Sequence, residues 1–227
     1  MIKMKILFIR HGKTRGNLER RYVGRTDEPL LAEEEKRLQS SEYRRFCPDV
    51  IYTSALLRCR QTAALLFSGE NRRSGANHDW TDAGEQAYTD DSERTVVCPG
   101  LNETDFGVFE YKNYAELNGD PAYQAWIDSG GRAEIPGGES GSRFRERCRE
   151  AFLDCVADAK RRRAERAAFV VHGGTIMAVL EAFGRPQRDF YGWQVKNGRG
   201  FFTELRETPE GIWLEVCESP QRDMADC

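Results

Sequence analysis

The sequence Ile6-Leu7-Phe8-Ile9-Arg10-His11-Gly12 constrains the fold more than any other stretch. Four apolar residues read as a strand buried on both faces, and a cation, an imidazole and a glycine follow with no spacer. A second segment repeats the pattern: Ala168-Phe169-Val170-Val171 runs directly into His172-Gly173-Gly174-Thr175. The chain has 227 residues but only 3 histidines, so two of the three end apolar strands and precede glycine. In open α/β sheets the carboxyl ends of parallel strands are where ligand sites gather. Two such strands lying side by side would bring both imidazoles to one edge.

The remaining pattern supplies that sheet. The first strand spans about 3–9, and 12–29 reads as loop, punctuated by Gly12, Gly16, Asn17, Gly24, Asp27 and Pro29. A polar helix over about 32–45 turns Leu31, Leu38 and Phe46 inward. Val50-Ile51-Tyr52-Thr53 is a second strand, with Ser54 as the expected cap of a helix running from Leu56 to Phe67. Arg58 then sits in a first helical turn just past a strand end, an anion site in outline. A third strand over 95–99 leads into Leu101-Asn102-Glu103 and an aromatic cluster of Phe106, Phe109 and Tyr111. Asp120-Pro121 opens a helix presenting Tyr123, Trp126 and Ile127, closed by Gly130-Gly131. Ser140 or Ser142 starts a long helix to about 164. Its residues Phe144, Cys148, Ala151, Phe152, Cys155, Val156 and Ala159 recur at three and four. A helix through Phe183 follows His172, and two last strands, 201–206 and 212–217, flank a Pro209-Glu210-Gly211 turn.

Strands alternating with helices predict an α/β fold in three layers, a mostly parallel, mixed central sheet flanked by helices. No linker or repeat divides the chain. It is read as a single domain over 1–218, with a polar surface insertion at 68–93, a cap-like segment at 104–140 over the site, and a frayed tail at 219–227. His78, inside the insertion, is expected to face solvent, and the insertion is expected to shape access to the pocket. A net charge of −3 gives no global attraction to nucleic acid or membrane. No stretch approaches the ~20 apolar residues of a membrane span. The 7 cysteines are scattered without a C-x-x-C pair, as expected for reduced thiols in the cytoplasm.

Four strand ends thus carry Arg10-His11, Arg58, Glu103 and His172. Two guanidiniums would hold an anion by forked hydrogen bonds, phosphate above all. No cluster of carboxylate, His or Cys ligands suggests a metal. A Walker loop and a G-x-S-x-G elbow are both absent, and this leaves imidazole as the nucleophile. Guanidiniums nearby would keep that imidazole neutral. Attack on phosphorus would give phosphohistidine, with Glu103 moving the proton.

Motifs along the chain strengthen this reading. Arg10-His11-Gly12-Lys13-Thr14 resembles the R-H-G-x-T signature of the histidine phosphatase superfamily, in its phosphoglycerate mutase-like branch. Gly24-Arg25-Thr26-Asp27-Glu28-Pro29-Leu30, the Ser54 to Ala63 stretch, Leu101 to Gly107, Pro136 to Ser140 and His172 to Thr175 are similar to its further motifs, in the same order over about residues 5–180. The resemblance implies His11 as phosphorylated nucleophile and Glu103 as proton donor. It implies Arg10, Asn17, Arg58 and His172 as phosphate ligands, with no metal and no cofactor. The implied activity is a metal-independent phosphomonoesterase on a small-molecule phosphate ester. The Phe106-Gly107-Val108-Phe109-Glu110 pattern looks most like α-ribazole phosphatases, so α-ribazole 5′-phosphate is one expected substrate. A cofactor-dependent phosphoglycerate mutase and an inactive phosphate-binding or interaction module are the alternatives. Lys13, Ala32 and Cys59 depart from the family pattern, at positions where Glu, a capping Ser/Thr and Ala are usual. Cys59 is expected to serve packing. Phe109, Tyr111 and Trp126 are candidates for a leaving-group pocket, at least two of them being expected in the core.

Overall fold

A computed structural model describes residues 3–68, 94–209 and 211–217. The bulk of the expected insertion, with His78, and the expected tail lie outside the described residues. The described chain forms one mixed seven-stranded sheet between helices. Its strands are β1 (Met4–Arg10), β2 (Val50–Thr53), β3 (Thr95–Val97), β4 (Arg166–Val171), β5 (Gly184–Arg185), β6 (Gly200–Thr208) and β7 (Gly211–Val216), in the order β3-β2-β4-β1-β6-β7-β5. The first four in that order are parallel; β6 runs antiparallel to both β1 and β7.

Alternation along β1 explains the layers. Ile6 and Phe8 join one core, with Tyr52, Phe169 and the helices α6 (Gly141–Arg161) and α7 (Gly173–Phe183). Leu7 and Ile9 point to the other core, with Ile51, Val170 and the helices α2 (Ala32–Gln39) and α3 (Leu57–Phe67). Both faces are therefore dry, which is why the strand is a continuous apolar run. Three shorter helices, α1 (Arg15–Leu18), α4 (Tyr114–Leu117) and α5 (Pro121–Asp128), lie at the carboxyl edge. There Phe109, Leu117, Tyr123 and Ile135 form a small third core, with Tyr22, Phe106 and Trp126 packed against it.

Several boundaries differ from the sequence reading, each for a local reason. The helix expected over 32–45 stops at Gln39 and gives way to a 3-10 turn, Glu42–Arg45. Two serines cause the break. Ser40 Oγ donates to the Lys36 carbonyl, and Ser41 Oγ accepts from Tyr43 N–H. Ala32 is not the cap; Leu31 holds that place without a side-chain bond. The loop expected over 12–29 contains α1, closed by a capping box between Thr14 and Asn17. The long helix takes Ser140 as its cap and ends at Arg161. Arg163 there adopts φ +58°, and Ala164 N–H bonds back to the Ala159 carbonyl.

Candidate active site

Sheet register brings the two histidines together. Arg10 pairs with Val171 across β1 and β4, so His11 and His172 leave adjacent strands at the same level, and His11 N–H continues the ladder to the Val171 carbonyl at 3.0 Å. Their rings lie 5.2 Å apart between centroids, at 65° to one another. Both are buried, at 4% and 0% exposure. His11 Nδ1 is 2.7 Å from the Gly12 carbonyl. A carbonyl only accepts, so Nδ1 carries the hydrogen and Nε2 keeps the lone pair in the neutral ring. Burial above all, then the Arg58 and Arg10 guanidiniums, holds the His11 pKa well below the usual imidazole range, against the pull of that carbonyl. His172 is held low by burial first, then by Arg58, His11, Arg10 and Arg147.

The segment 23–30 exists to hold Arg58. That guanidinium is fully buried and donates to the carbonyls of Val23, Gly24 and Thr26 at 3.2, 2.9 and 2.8 Å. Glu110 fixes the carbonyl-bearing turn by accepting from Gly24 N–H, Thr26 N–H and the Thr26 hydroxyl. A side chain at Gly24 would put Cβ 2.0 Å from the Thr104 carbonyl, so only glycine fits there. Asp27 accepts from Leu57 N–H at 2.7 Å and so caps α3 from a distance. This corrects the expectation for Ser54, whose hydroxyl shares a 2.8 Å bond with His172 Nε2. Arg10 donates to the Val195 carbonyl at 2.9 Å. The Nε atoms of Arg10 and Arg58 are both buried and have no hydrogen-bond partner among the described residues.

Glu103 sits at the amino end of α7, accepting from Gly174 N–H and Thr104 N–H, each at 3.0 Å. Asn17 uses Oδ1 for its cap on Thr14 and for a 3.1 Å bond from Asn197, which also donates to the His11 carbonyl. Among the expected leaving-group residues, Phe109 is fully buried in the third core. Tyr111 bonds Glu28 and lies beneath Arg21, and Trp126 alone reaches the cavity. That cavity, about 700 Å³, is also lined by Arg10, Glu103, Tyr22, Phe106, Phe190 and Tyr191.

The sequence reading missed the wall over 190–197, a 3-10 turn (Phe190–Trp193) and an irregular strip to Asn197. The Trp193-Gln194-Val195-Lys196-Asn197-Gly198 run between a helix and a strand was its only signal. Ser54 and Cys59 were also missed as neighbours of His172. Cys59 Sγ lies 3.5 Å from His172 Nε2, and burial pushes its thiol up to about 12.

The model of the histidine phosphatase superfamily (branch 1) matches residues 6–88 and 84–217. The chain belongs to the histidine phosphatase superfamily. A relative named "probable phosphoglycerate mutase", from Serratia proteamaculans, is 28% identical over 159 residues, covering 67% of this chain and 63% of that protein. The adenosylcobalamin/α-ribazole phosphatase of Escherichia coli is 24% identical over 200 residues, 86% of this chain and 87% of its own. In fold, the α-ribazole phosphatase of Shigella flexneri superposes with a TM-score of 0.70 at 22% identity, covering 95% of this chain and 96% of that one. Among the described residues no helix is long and apolar enough to cross a membrane.

Proposed function

We propose that this histidine phosphatase hydrolyses small-molecule phosphate monoesters through a phosphohistidine on His11, without a metal. One observation carries the reading: beside the His11 imidazole, whose Nδ1 hydrogen is held by the Gly12 carbonyl and whose pKa is held low, stand the buried Arg58 and half-buried Arg10 guanidiniums, whose Nε atoms have no partner among the described residues. The His11 Nε2 lone pair attacks phosphorus, and the P–O bond to the alcohol breaks. Arg10, Arg58 and His172 hold the non-bridging oxygens, where charge accumulates. Asn17 contributes its amide on the His11 side. Glu103 gives a proton to the leaving oxygen and, as carboxylate, takes one from water. That water attacks phosphorus, the P–N bond breaks, and its electron pair returns to Nε2.

The aromatic wall of Tyr22, Phe106, Trp126 and Tyr191 favours an alcohol with a flat apolar ring, and α-ribazole 5′-phosphate fits that description. In this reading 1–218 acts as a single domain whose segment 104–140 caps the site. The test is hydrolysis of an aryl phosphate with EDTA present, comparing the native chain with His11→Ala. An acid-labile phosphoprotein should appear on rapid quenching of the native chain only. Activity surviving in His11→Ala refutes the nucleophile. The relatives named as mutases favour a second reading, phosphoglycerate mutase. Isomerisation of 3-phosphoglycerate with a bisphosphoglycerate primer, releasing little free phosphate, would establish it instead.

A further inference from the structure

The loop bearing Glu103 has almost no backbone ladder of its own, yet the proposed proton donor must be fixed. Its successive carbonyls are taken instead by side chains from the two helices beneath. Arg147, on α6, donates through Nη1 to the Gly100 and Asn102 carbonyls at 2.9 and 3.0 Å, and through Nη2 to the Glu103 carbonyl at 3.4 Å. Thr175, on α7, donates to the Leu101 carbonyl at 3.1 Å. Arg147 is aimed by Glu139, which accepts from its Nε at 3.3 Å and also from Nη2. The same carboxylate accepts from Asp105 N–H, two residues past Glu103, at 3.3 Å. One guanidinium–carboxylate pair therefore grips the chain from Gly100 to Asp105.

We propose that Arg147, held by Glu139, is the positioning residue for Glu103, acting on proton delivery and not on phosphate binding. The proposal rests on Glu103 being the proton donor. Lysine at 147 offers a point charge that cannot reach three carbonyls in one plane. Geometry alone sets the size of the effect: a displacement near 1 Å at a reacting group is worth on the order of 10²-fold.

A double-mutant cycle in the full chain separates positioning from mere packing. The rate measured is kcat/KM for an alkyl phosphate, which needs its leaving oxygen protonated. Arg147→Lys is expected to lower it by ~10–100-fold, with competitive inhibition by inorganic phosphate unchanged within twofold. In the Glu103→Gln background the same substitution should cost less than twofold, since there is no donor left to misplace. Equal losses in both backgrounds overturn the proposal, as does a matching loss of phosphate inhibition. Should Arg147→Lys fail to fold by circular dichroism, Glu139→Gln carries the same cycle, with a smaller expected loss of about threefold; native rates there overturn the proposal equally. If Glu103→Gln itself leaves the alkyl rate intact, Glu103 is not the donor, and both readings fall in a way the cycle distinguishes.

Discussion

Gly174→Ala tests how closely helix and carboxylate are fitted. A Cβ at Gly174 would stand 2.2 Å from Glu103 Oε1 and 3.0 Å from Phe144 Cζ, where real contacts stay above 3.0 Å. The carboxylate must therefore retreat by about 0.8 Å. Its 3.0 Å bond from Gly174 N–H is stretched or lost in the process. Overpacking of this kind costs about 1–3 kcal/mol in stability, which the fold survives. The rate cost is larger, because a misplacement near 1 Å is worth on the order of 10²-fold. The expected result is a ~30–100-fold drop in kcat/KM for an alkyl phosphate. With p-nitrophenyl phosphate the loss should be about tenfold smaller, because a nitrophenolate leaves without a proton. Steady-state kinetics on the two esters, with thermal melts to confirm folding, provide the comparison. An equal loss on both esters would show that the alanine damages phosphate binding, and no loss on either would show that Glu103 has room to spare. Either result refutes the fitted-carboxylate argument.

Acid stability should report the two buried imidazoles. Their pKa values are depressed on folding, so below about pH 6.5 the unfolded chain binds more protons and stability falls with pH, by up to about 1.4 kcal/mol per unit for each ring. Urea titrations at pH 7.5 and 5.5 should show that slope, and His11→Asn with His172→Asn should flatten it. Arg58→Lys removes donors from three backbone carbonyls and should lower both kcat/KM and the unfolding midpoint; a variant with native phosphate inhibition would show Arg58 is only structural. Trp126→Ala should raise KM for aryl esters by about tenfold, the worth of one ring contact, while phosphate inhibition stays fixed; an unchanged KM removes the aromatic-pocket reading.

The residues of the candidate site were more legible in the sequence than the groups that surround them. Two strands ending in His-Gly needed only parallel pairing to meet, and in the fold β1 and β4 do pair in parallel, with Arg10 opposite Val171. Arg58 was legible for a similar reason, one turn past a strand end. What holds Arg58 was not legible: Val23, Gly24 and Thr26 bind it through carbonyls, and a carbonyl leaves no mark on residue identity. Glu110 and Asp27 act at a distance of 84 and 30 residues on backbone N–H groups, again invisible to local pattern. The serine pair that ends α2 was read through as helix, because hydroxyl bonds to the local backbone leave no mark on the apolar pattern. The strip at 190–197 has neither helical nor strand period, yet it forms a wall of the cavity.

A common cause links these hidden parts. A buried guanidinium repels nearby cations, and acceptors without net charge satisfy it without neutralising the field at the proposed nucleophile. Backbone carbonyls meet that need at Arg58, and the carboxylate of Glu110 stays one step away, binding the turn that holds it. The net effect is a cationic interior around two imidazoles whose pKa values are held low first by burial and then because charging either would add a further cation. An arriving phosphate reverses that balance at His172, whose protonation its charge favours, while His11 keeps the Nε2 lone pair that the proposed attack requires. Binding of a phosphate mimic should therefore take up protons near neutral pH. Isothermal calorimetry in buffers of different ionisation enthalpy would measure that uptake, and enthalpies independent of buffer would contradict the account of why these rings are neutral.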